Sequence, residues 1–403
     1  MSRLFVWIRL PDDTLRLAGE LGTTDPLANG HFQSEFEYSR DWDATGFSLD
    51  PQSLPLGTGS RRFSGDLFNP PLAIFDDALP DDWGRGLLAA ALKLEGRRPS
   101  PAEMLLRMRG GGTGALLFTE TPAPPEPLST VQTTALATLL AAAARFESGT
   151  LPPGDEFRKL LEGSSRAGGA RPKALMHDAE GEWLLKFPSK RDGSQDVVGL
   201  EATCLTVAKR AGLTVPETRL RHVGRRRVLM VRRFDITPEN GRLHMVSLRT
   251  LCLERPGIYV QDYSHLAQVV RKHSSSPAVD VEMLFRHMVF NAAIGNVDDH
   301  LKNFWMLATP GYRLAPAFDL VPDIGGRGEH TLSFLTSFEC PSQSDLLSVA
   351  KAWHVAKAAE IVREVATAVR SFRAVARELK VRGGKGLNTV LADIERRVAS
   401  ISR

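Results

Sequence analysis

The sequence GNVDDHLKNF, residues 295–304, places two aspartates, a histidine, a lysine and an asparagine within ten positions. The preceding MVFNAAI, residues 288–294, is apolar and indicates a buried helix. The polar residues could form a metal site, a loop capped by its Asp and Asn side chains, or a catalytic loop. A zinc site has little support, because no second histidine has a suitable spacing.

Asp298 and Asn303 are five residues apart, the spacing of the kinase pattern H-R-D-x-x-x-x-N. In that pattern the aspartate accepts the proton of the substrate hydroxyl group, and the asparagine holds Mg²⁺. Asp298 has this offset and is the predicted base, whereas Asp299 is predicted to be a structural or solvated neighbour. A strand-like run, YRLAPAFDLVP (312–322), leads to Asp319, whose carboxylate offers the hard oxygen ligands that Mg²⁺ prefers.

A lysine and a glutamate earlier in the chain suit the same chemistry. Lys186 lies in the hydrophobic strand WLLKFP, and Glu201 shares a helix face with apolar residues three, four and seven positions later. An acid on an apolar face is costly unless it is paired, and kinases use a Lys–Glu ion pair to orient phosphate. The alternatives are an exposed strand lysine and a solvated glutamate.

Two further segments could contact a nucleotide. SSRAGGARPKALM (164–176) combines Gly168 and Gly169 with Arg171 and Lys173, and backbone N–H groups with nearby cations can hold phosphate. The segment matches neither the Walker A pattern, since it has no GKS or GKT, nor GxGxxG, so an ordinary loop before a hairpin is the alternative. VLMVRRFD (228–235) leaves a predicted strand and could present backbone groups to an adenine edge, although an ordinary strand exit has the same pattern.

Composition limits the class of protein. The 403 residues are 42% hydrophobic and 24% charged, with a net charge of +4 that does not by itself argue for nucleic-acid binding. The three cysteines lack disulfide or zinc spacing and favour a reducing cytoplasm. We expect no signal peptide, because the apolar run within residues 1–13 is too short and no small-residue cleavage site follows. We also expect no membrane segment, because the most apolar run, 135–144, is shorter than the roughly 20 residues that a spanning helix needs.

The chain is predicted to have an α+β, two-lobed, protein-kinase-like fold with an extra amino-terminal α/β subdomain. The predicted parts are this subdomain (1–121), a Pro-rich linker and connecting helix (122–150), a β-rich N-lobe (151–235) and an all-helical C-lobe (236–403). Local patterns predict two strands within 3–20, a helix over 75–96, hairpins around 178–181 and Gly224, and a long helical stretch over 346–380. The arginines at 225–227 are predicted to form a solvated hairpin tip, with contact to DNA or an acidic partner as the alternative.

With these motifs assembled, the chain resembles the HipA family of serine/threonine kinases, the toxin halves of bacterial toxin–antitoxin pairs. The family's catalytic loop, D-x-H-x-K-N-F, is matched by Asp298, His300, Lys302, Asn303 and Phe304. The glycine loop, the lysine strand, the glutamate helix with its trailing GLTVPE, the RFD exit and the later FD follow the same order. The resemblance extends over nearly the whole chain.

The resemblance implies an ATP site and a metal site. Its ATP-binding residues would be Gly168, Gly169, Ala170, Arg171, Pro172, Lys173, Lys186, Arg232, Arg233, Phe234, His300, Leu301, Lys302, Asn303, Phe318 and Asp319. Asn303 and Asp319 would bind Mg²⁺, with Asp298 and Lys186 as catalytic residues and Glu201 in the supporting ion pair. Family members silence themselves by phosphorylating a serine before the glycine loop; Ser165 and then Ser164 are the candidates, although Arg166 stands at the usual serine register.

The resemblance also implies partners. The substrate would be a protein such as an aminoacyl-tRNA synthetase, whose phosphorylation would arrest growth and favour persistence. The usual partner is a helix-turn-helix antitoxin of the HipB type, through which the chain would meet DNA. The alternatives are a small-molecule or lipid kinase, since phosphoinositide kinases share D-x-H-x-x-N, and a catalytically silent binding module with a kinase fold.

Overall fold

The structure is a computed structural model that describes residues 1–80, 82–92, 99–108, 112–126, 136–152, 154–164, 171–252 and 262–403, with backbone only at 162–164. Its strands are β1 (Ser2–Arg9), β2 (Leu15–Thr23), β3 (Phe32–Tyr38), β4 (Arg61–Gly65), β5 (Leu116–Thr119), β6 (Lys173–Asp178), β7 (Gly181–Lys186), β8 (Thr218–Val223), β9 (Arg226–Arg232), β10 (His244–Ser247), β11 (Trp305–Thr309) and β12 (Gly311–Leu314).

Its helices are α1 (Arg40–Thr45), α2 (Ala73–Asp77), α3 (Asp82–Leu92), α4 (Pro101–Arg107), α5 (Leu136–Glu147), α6 (Gly154–Ser164), α7 (Val197–Arg210), α8 (Leu248–Cys252), α9 (Tyr263–His273), α10 (Pro277–Ile294), α11 (Gln343–Ala352), α12 (Ala358–Arg370), α13 (Phe372–Glu378) and α14 (Gly384–Ile401). Two 3₁₀ turns span Lys190–Asp192 and Leu301–Asn303. In the described part of the chain, no helix is both long enough and apolar enough to cross a membrane.

The residues cluster into two compact units. The first comprises Met1–Phe187, Arg232–Ile258 and Leu307–Thr309, and the second comprises Pro188–Val231, Tyr259–Met306 and Pro310–Arg403. The predicted domain boundaries stay predictions.

The first unit contains an antiparallel five-stranded sheet in the order β4-β3-β2-β1-β5. The predicted strand–turn–strand over 3–20 is confirmed, because β1 and β2 pair around a turn in which Asp13 adopts a φ of 68°. The helix predicted over 75–96 is wrong as one element. α2 and α3 divide there, and Pro80 stands between them, where a proline would disrupt a continuous helix.

Polar side chains fix α2 within the first unit. The buried carboxylate of Asp77 accepts hydrogen bonds from Ser247 N at 2.9 Å, Ser247 Oγ at 2.7 Å and Thr250 Oγ1 at 2.7 Å. Asp76 meets Arg85 and Arg249, each at 2.8 Å. The acidic pair therefore joins α2 to β10 and α8, which follow much later in the chain.

The core of the second unit is α10, which packs against α9, α12 and α14. Nearly every residue in its last two turns is buried, which confirms the buried helix predicted over 288–294. The helical stretch predicted over 346–380 is confirmed, and it consists of three helices, α11, α12 and α13. The predicted all-helical C-lobe needs correction, because β10, β11 and β12 lie within 236–403.

Candidate functional site

The segment 295–304 forms a well-defined loop at the end of α10. Gly295 ends the helix with a φ of 68°, a conformation that glycine adopts at little cost, and its N–H donates to the carbonyl group of Asn291. After the irregular residues 296–300, a 3₁₀ turn carries the chain to Asn303. Asn303 Nδ2 donates to the backbone carbonyl of Asp298 at 2.7 Å. The structure therefore brings together the two residues that their spacing singled out.

The two neighbouring aspartates occupy opposite environments. The side chain of Asp298 is 71% exposed, and its carboxylate lies 4.0 Å from His300 Nε2 and 3.9 Å from an Arg327 nitrogen, both beyond hydrogen-bond distance. The side chain of Asp299 is fully buried. An exposed carboxylate can accept a proton from an incoming hydroxyl group, whereas a buried one is suited to holding structure.

Asp299 is held by donors on both of its oxygens. Oδ1 accepts from Thr331 N at 2.8 Å and Leu332 N at 3.4 Å. Oδ2 accepts from Tyr263 Oη at 2.6 Å and lies 3.1 Å from His330 Nδ1. Burial, and secondly the charge of Asp299, raises the pKa of Tyr263 well above its ordinary value, so the phenol stays protonated as a donor. Asp299 is therefore the anchor of the loop that displays Asp298.

A hairpin connects this loop with the segment that carries Asp319. Ala315 N donates to the carbonyl of Trp305 at 2.8 Å, two residues after Asn303 and four before Asp319. Asp319 has a φ of 56°, a left-handed conformation that costs a non-glycine residue about 1 kcal/mol or more. Such backbone strain is often found at functional sites. Asp319 and Phe318 are both half-buried.

The residues predicted to hold Mg²⁺ suit that ion chemically. The hydrogen bond of Asn303 uses Nδ2, so Oδ1 is the atom of this amide that can ligate a cation. With the carboxylate of Asp319 it offers hard oxygen ligands, which Mg²⁺ prefers. Among the described residues, no three His, Cys, Asp or Glu side chains assemble as a metal cluster.

The first unit has two lysines on neighbouring strands. Lys173 of β6 and Lys186 of β7 are direct cross-strand partners, so their side chains lie on the same face of the hairpin, and both are nearly buried. Pro172, just before Lys173, accepts from Phe187 N at 2.9 Å. Gly168, Gly169, Ala170 and Ser165 lie outside the described residues, and Ser164 is the last residue of α6.

The strand exit at 232–235 is tied to the amino-terminal sheet region. Arg233 N donates to the carbonyl of Glu182 at 3.0 Å, and its guanidinium donates to Asp235 at 2.5 Å and to the carbonyl of Gly112 at 3.1 Å. Arg232 stacks over Trp183 at 5.7 Å. The N–H of Arg233 therefore already donates within the protein. If this residue binds adenine, its carbonyl group is the backbone group that can do so.

Glu201 lies on the buried face of α7 in the second unit, whereas Lys186 belongs to the first; their ion pair stays a prediction. Burial raises the pKa of the neighbouring Cys204 thiol, and the charge of Glu201 adds to the effect. The helix begins at Asp196, whose side chain caps it by accepting from the N–H of Gly199 at 3.1 Å and pairs with Arg227 at 2.9 Å.

The prediction of a solvated tip at 225–227 is wrong for one of its arginines. Arg225 and Arg226 are exposed, but Arg227 is buried, pairs with Asp196 and donates to the carbonyl of Lys380. Three residues that support Asp299 were not predicted from the sequence: Tyr263, His330 and Arg397. These residues are far from the loop in the sequence, so no local pattern connected them with it.

Comparison with known proteins gives consistent matches. A family model described as "HipA-like C-terminal domain" matches residues 165–372. "Putative kinase Y4dM" of Sinorhizobium fredii (strain NBRC 101917 / NGR234) is 30% identical over 220 residues, which cover 48% of this chain and 51% of that protein. "Putative kinase Y4mE" of the same strain is 27% identical over 329 residues, which cover 73% of each chain. The match to Y4dM therefore spans about half the length of that protein.

A solved structure is also similar. The HipA chain in a Shewanella oneidensis MR-1 complex of HipA, HipB and operator DNA matches with a TM-score of 0.66 and 19% identity, covering 98% of this chain and 97% of that one. At this identity the likeness concerns the fold. It confirms the fold class predicted from the sequence, the α+β protein-kinase-like fold with an amino-terminal subdomain.

Proposed function

The chain belongs to the family of HipA-like kinases, and from this premise we propose that it is a Mg²⁺- and ATP-dependent protein serine/threonine kinase. The single observation that carries the proposal is the 2.7 Å hydrogen bond from Asn303 Nδ2 to the carbonyl of Asp298. This hydrogen bond uses the amide nitrogen of Asn303 and leaves its oxygen for the proposed metal, and the carboxylate of Asp298 is exposed, as a base for a substrate hydroxyl group needs to be.

Each residue has one task in this proposal. Asp298 accepts the proton of the acceptor hydroxyl group, and Asn303 and Asp319 hold Mg²⁺. Lys173 and Lys186 bind phosphate oxygens, and Glu201 supports Lys186. The metal, when bound, neutralises charge on the transferring phosphoryl group.

We propose that the remaining residues of the predicted ATP site also contact the nucleotide. Backbone groups at 168–173 and 232–234 would contact phosphate and adenine, and His300, Leu301, Lys302 and Phe318 would complete the nucleotide pocket. Ser165, or Ser164, would be the site of autophosphorylation. These roles rest on the order of the motifs and on family membership.

We further propose that the protein is a cytoplasmic toxin with a helix-turn-helix antitoxin of the HipB type. The structurally similar HipA forms a complex with HipB and operator DNA, which supports such a partner and contact with DNA through it. The proposed substrate is a translation component such as an aminoacyl-tRNA synthetase, whose phosphorylation would arrest growth and favour persistence.

Incubating the purified chain with γ-labelled ATP, Mg²⁺ and a cell lysate tests the proposal. We expect label in the protein fraction as phosphoserine or phosphothreonine, and no label with Asp298→Ala. Label in a small-molecule or lipid fraction would favour the alternative kinase class. Absence of all transfer and of autophosphorylation would favour a silent binding module.

A further inference from the structure

A chain of buried polar contacts runs from the carboxyl-terminal helix to the loop of Asp298. Arg397, on the buried face of α14, donates from Nε to Asp393 at 2.6 Å and from a terminal nitrogen to the carbonyl of Gly328 at 3.1 Å. Its other terminal nitrogen lies 3.2 Å from His330 Nε2. The opposite ring nitrogen of His330 lies 3.1 Å from Asp299 Oδ2. All five residues belong to the second unit.

The contacts with Arg397 and Asp299, on opposite ring nitrogens, determine where His330 carries its proton. A guanidinium group only donates hydrogen bonds, so His330 Nε2 must be the acceptor. A neutral imidazole that accepts at Nε2 carries its hydrogen on Nδ1, and this hydrogen points at Asp299. A doubly protonated ring would instead place an N–H donor and a second positive charge against the buried guanidinium.

Two further features fit this arrangement. A side-chain carbon at position 295 would lie 2.7 Å from Arg397 Nε, so glycine at this position makes room for Arg397 beside the loop. Thr331, next to His330, donates from its N–H to Asp299 Oδ1 at 2.8 Å and from Oγ1 to the carbonyl of Val297 at 3.0 Å. Val297 and Asp299, on either side of Asp298, therefore both accept hydrogen bonds from Thr331. Thr331 follows His330 directly, so the contact of His330 with Arg397 fixes this segment.

We propose that Arg397 is a positioning residue for phosphoryl transfer: it holds His330 in the Nδ1–H tautomer, which completes the donors around Asp299 and fixes Asp298 beside it. This inference rests on the proposed function for its kinetic consequence. The tautomer of His330 follows from the contacts alone and does not depend on the activity. Arg397 acts through His330 and Asp299 and contacts no reacting atom.

The first experiment is NMR of the full chain with ¹⁵N-labelled histidine, and His330→Asn identifies the signals of His330. We expect a protonated Nδ1 and an unprotonated Nε2 in the wild-type chain. Arg397→Met removes the donor that faces Nε2, so we expect proton occupancy to appear at Nε2 in this variant. Arg396→Met is the matched control, because Arg396 also pairs with Asp393 but its side chain is largely exposed. It should leave the His330 signals unchanged.

The second experiment compares kcat and KM for phosphoryl transfer. Loss of a hydrogen bond to a buried charge corresponds to roughly a 10- to 100-fold fall in rate when it supports the reacting group. Arg397→Met should therefore lower kcat by about that factor and leave the KM for ATP within about twofold. Arg396→Met should change neither value.

A matched pair at position 330 covers the case in which Arg397→Met does not fold. Asparagine places an N–H near Nδ1 and can still donate to Asp299, whereas glutamine places its polar end near Nε2 and loses that donation. His330→Gln should therefore lose more kcat than His330→Asn.

A wild-type His330 protonated on Nε2 would overturn the inference, as would equal kcat values for the two position-330 variants in an active enzyme. A wild-type chain that transfers no phosphate would refute the proposed function. The histidine signals would then still decide whether Arg397 sets the tautomer.

Discussion

Asp298 and Asp299 are adjacent but lie in opposite environments, exposed and buried. Changing each of them in turn to asparagine applies the same chemical change to both. Asp299 accepts from two backbone N–H groups on Oδ1 and from Tyr263 and His330 on Oδ2. An amide group presents an oxygen to only one of these pairs and an N–H₂ donor to the other. Asp299→Asn therefore loses two hydrogen bonds to a buried charge.

The expected cost follows from these contacts. Each hydrogen bond to a charged group contributes about 1.5–3 kcal/mol, so two of them amount to roughly 3–6 kcal/mol. Removing a buried charge offsets part of this cost, and we expect a net loss of about 3 kcal/mol in Asp299→Asn. The carboxylate of Asp298 is exposed and lies 3.9 Å or more from Arg327 and His300, so Asp298→Asn should change stability by about 0.5 kcal/mol or less.

Hydrogen exchange at the backbone amides of Thr331 and Leu332 measures this difference locally, because these amides donate to Asp299. A cost of about 3 kcal/mol corresponds to exchange that is up to roughly a hundredfold faster in Asp299→Asn. Exchange in Asp298→Asn should match the wild-type chain. Equal exchange rates in the two variants would refute the assignment of Asp299 as the structural anchor.

Three other predictions follow from the structure. Burial lowers the pKa of His244 and His287 to about 4, below about 6.5 in an unfolded chain. Both therefore gain a proton on unfolding, and stability should fall by about 3 kcal/mol per histidine between about pH 6.5 and pH 4. His287→Gln should reduce the accompanying fall in Tm, and an unchanged fall would contradict this reasoning. Arg227→Met should lower the free energy of unfolding, measured in urea, by about 3 kcal/mol, because it breaks a buried ion pair. The control is Arg226→Met at the exposed neighbour, which should change it by about 0.5 kcal/mol or less. Asn303→Ala should raise the Mg²⁺ concentration needed for half-maximal transfer, and an unchanged Mg²⁺ requirement would remove Asn303 from the metal site.

Features with a local signature could be predicted from the sequence. The strand pair within 3–20 and the buried end of α10 follow from the pattern of apolar residues, and the structure contains both. The offset between Asp298 and Asn303 is also local, and the hydrogen bond between them spans only this loop. The predicted all-helical C-lobe failed because β10 to β12 are only four or five residues long, too short to show a clear alternation.

Contacts between distant parts of the chain could not be predicted in this way. His330 lies 31 residues from Asp299, and Arg397 lies a further 67 residues along the chain. Neither residue has neighbours that identify its partner. The same limit explains why Arg227 was predicted to be solvated. A run of three arginines does not reveal which of them pairs with Asp196. Side-chain type indicated what each residue could do, and the tertiary structure determined where it does so.

If the carboxylate of Asp298 is the base for phosphoryl transfer, replacing it should slow the chemical step, which the single-turnover rate of Asp298→Asn with γ-labelled ATP and Mg²⁺ measures. A general base typically contributes about 10²- to 10⁴-fold, so the rate should fall by at least a hundredfold. Nucleotide affinity, measured in the same preparation, should stay within about twofold of wild type. An Asp298→Asn protein that transfers phosphate at the wild-type rate would contradict the claim.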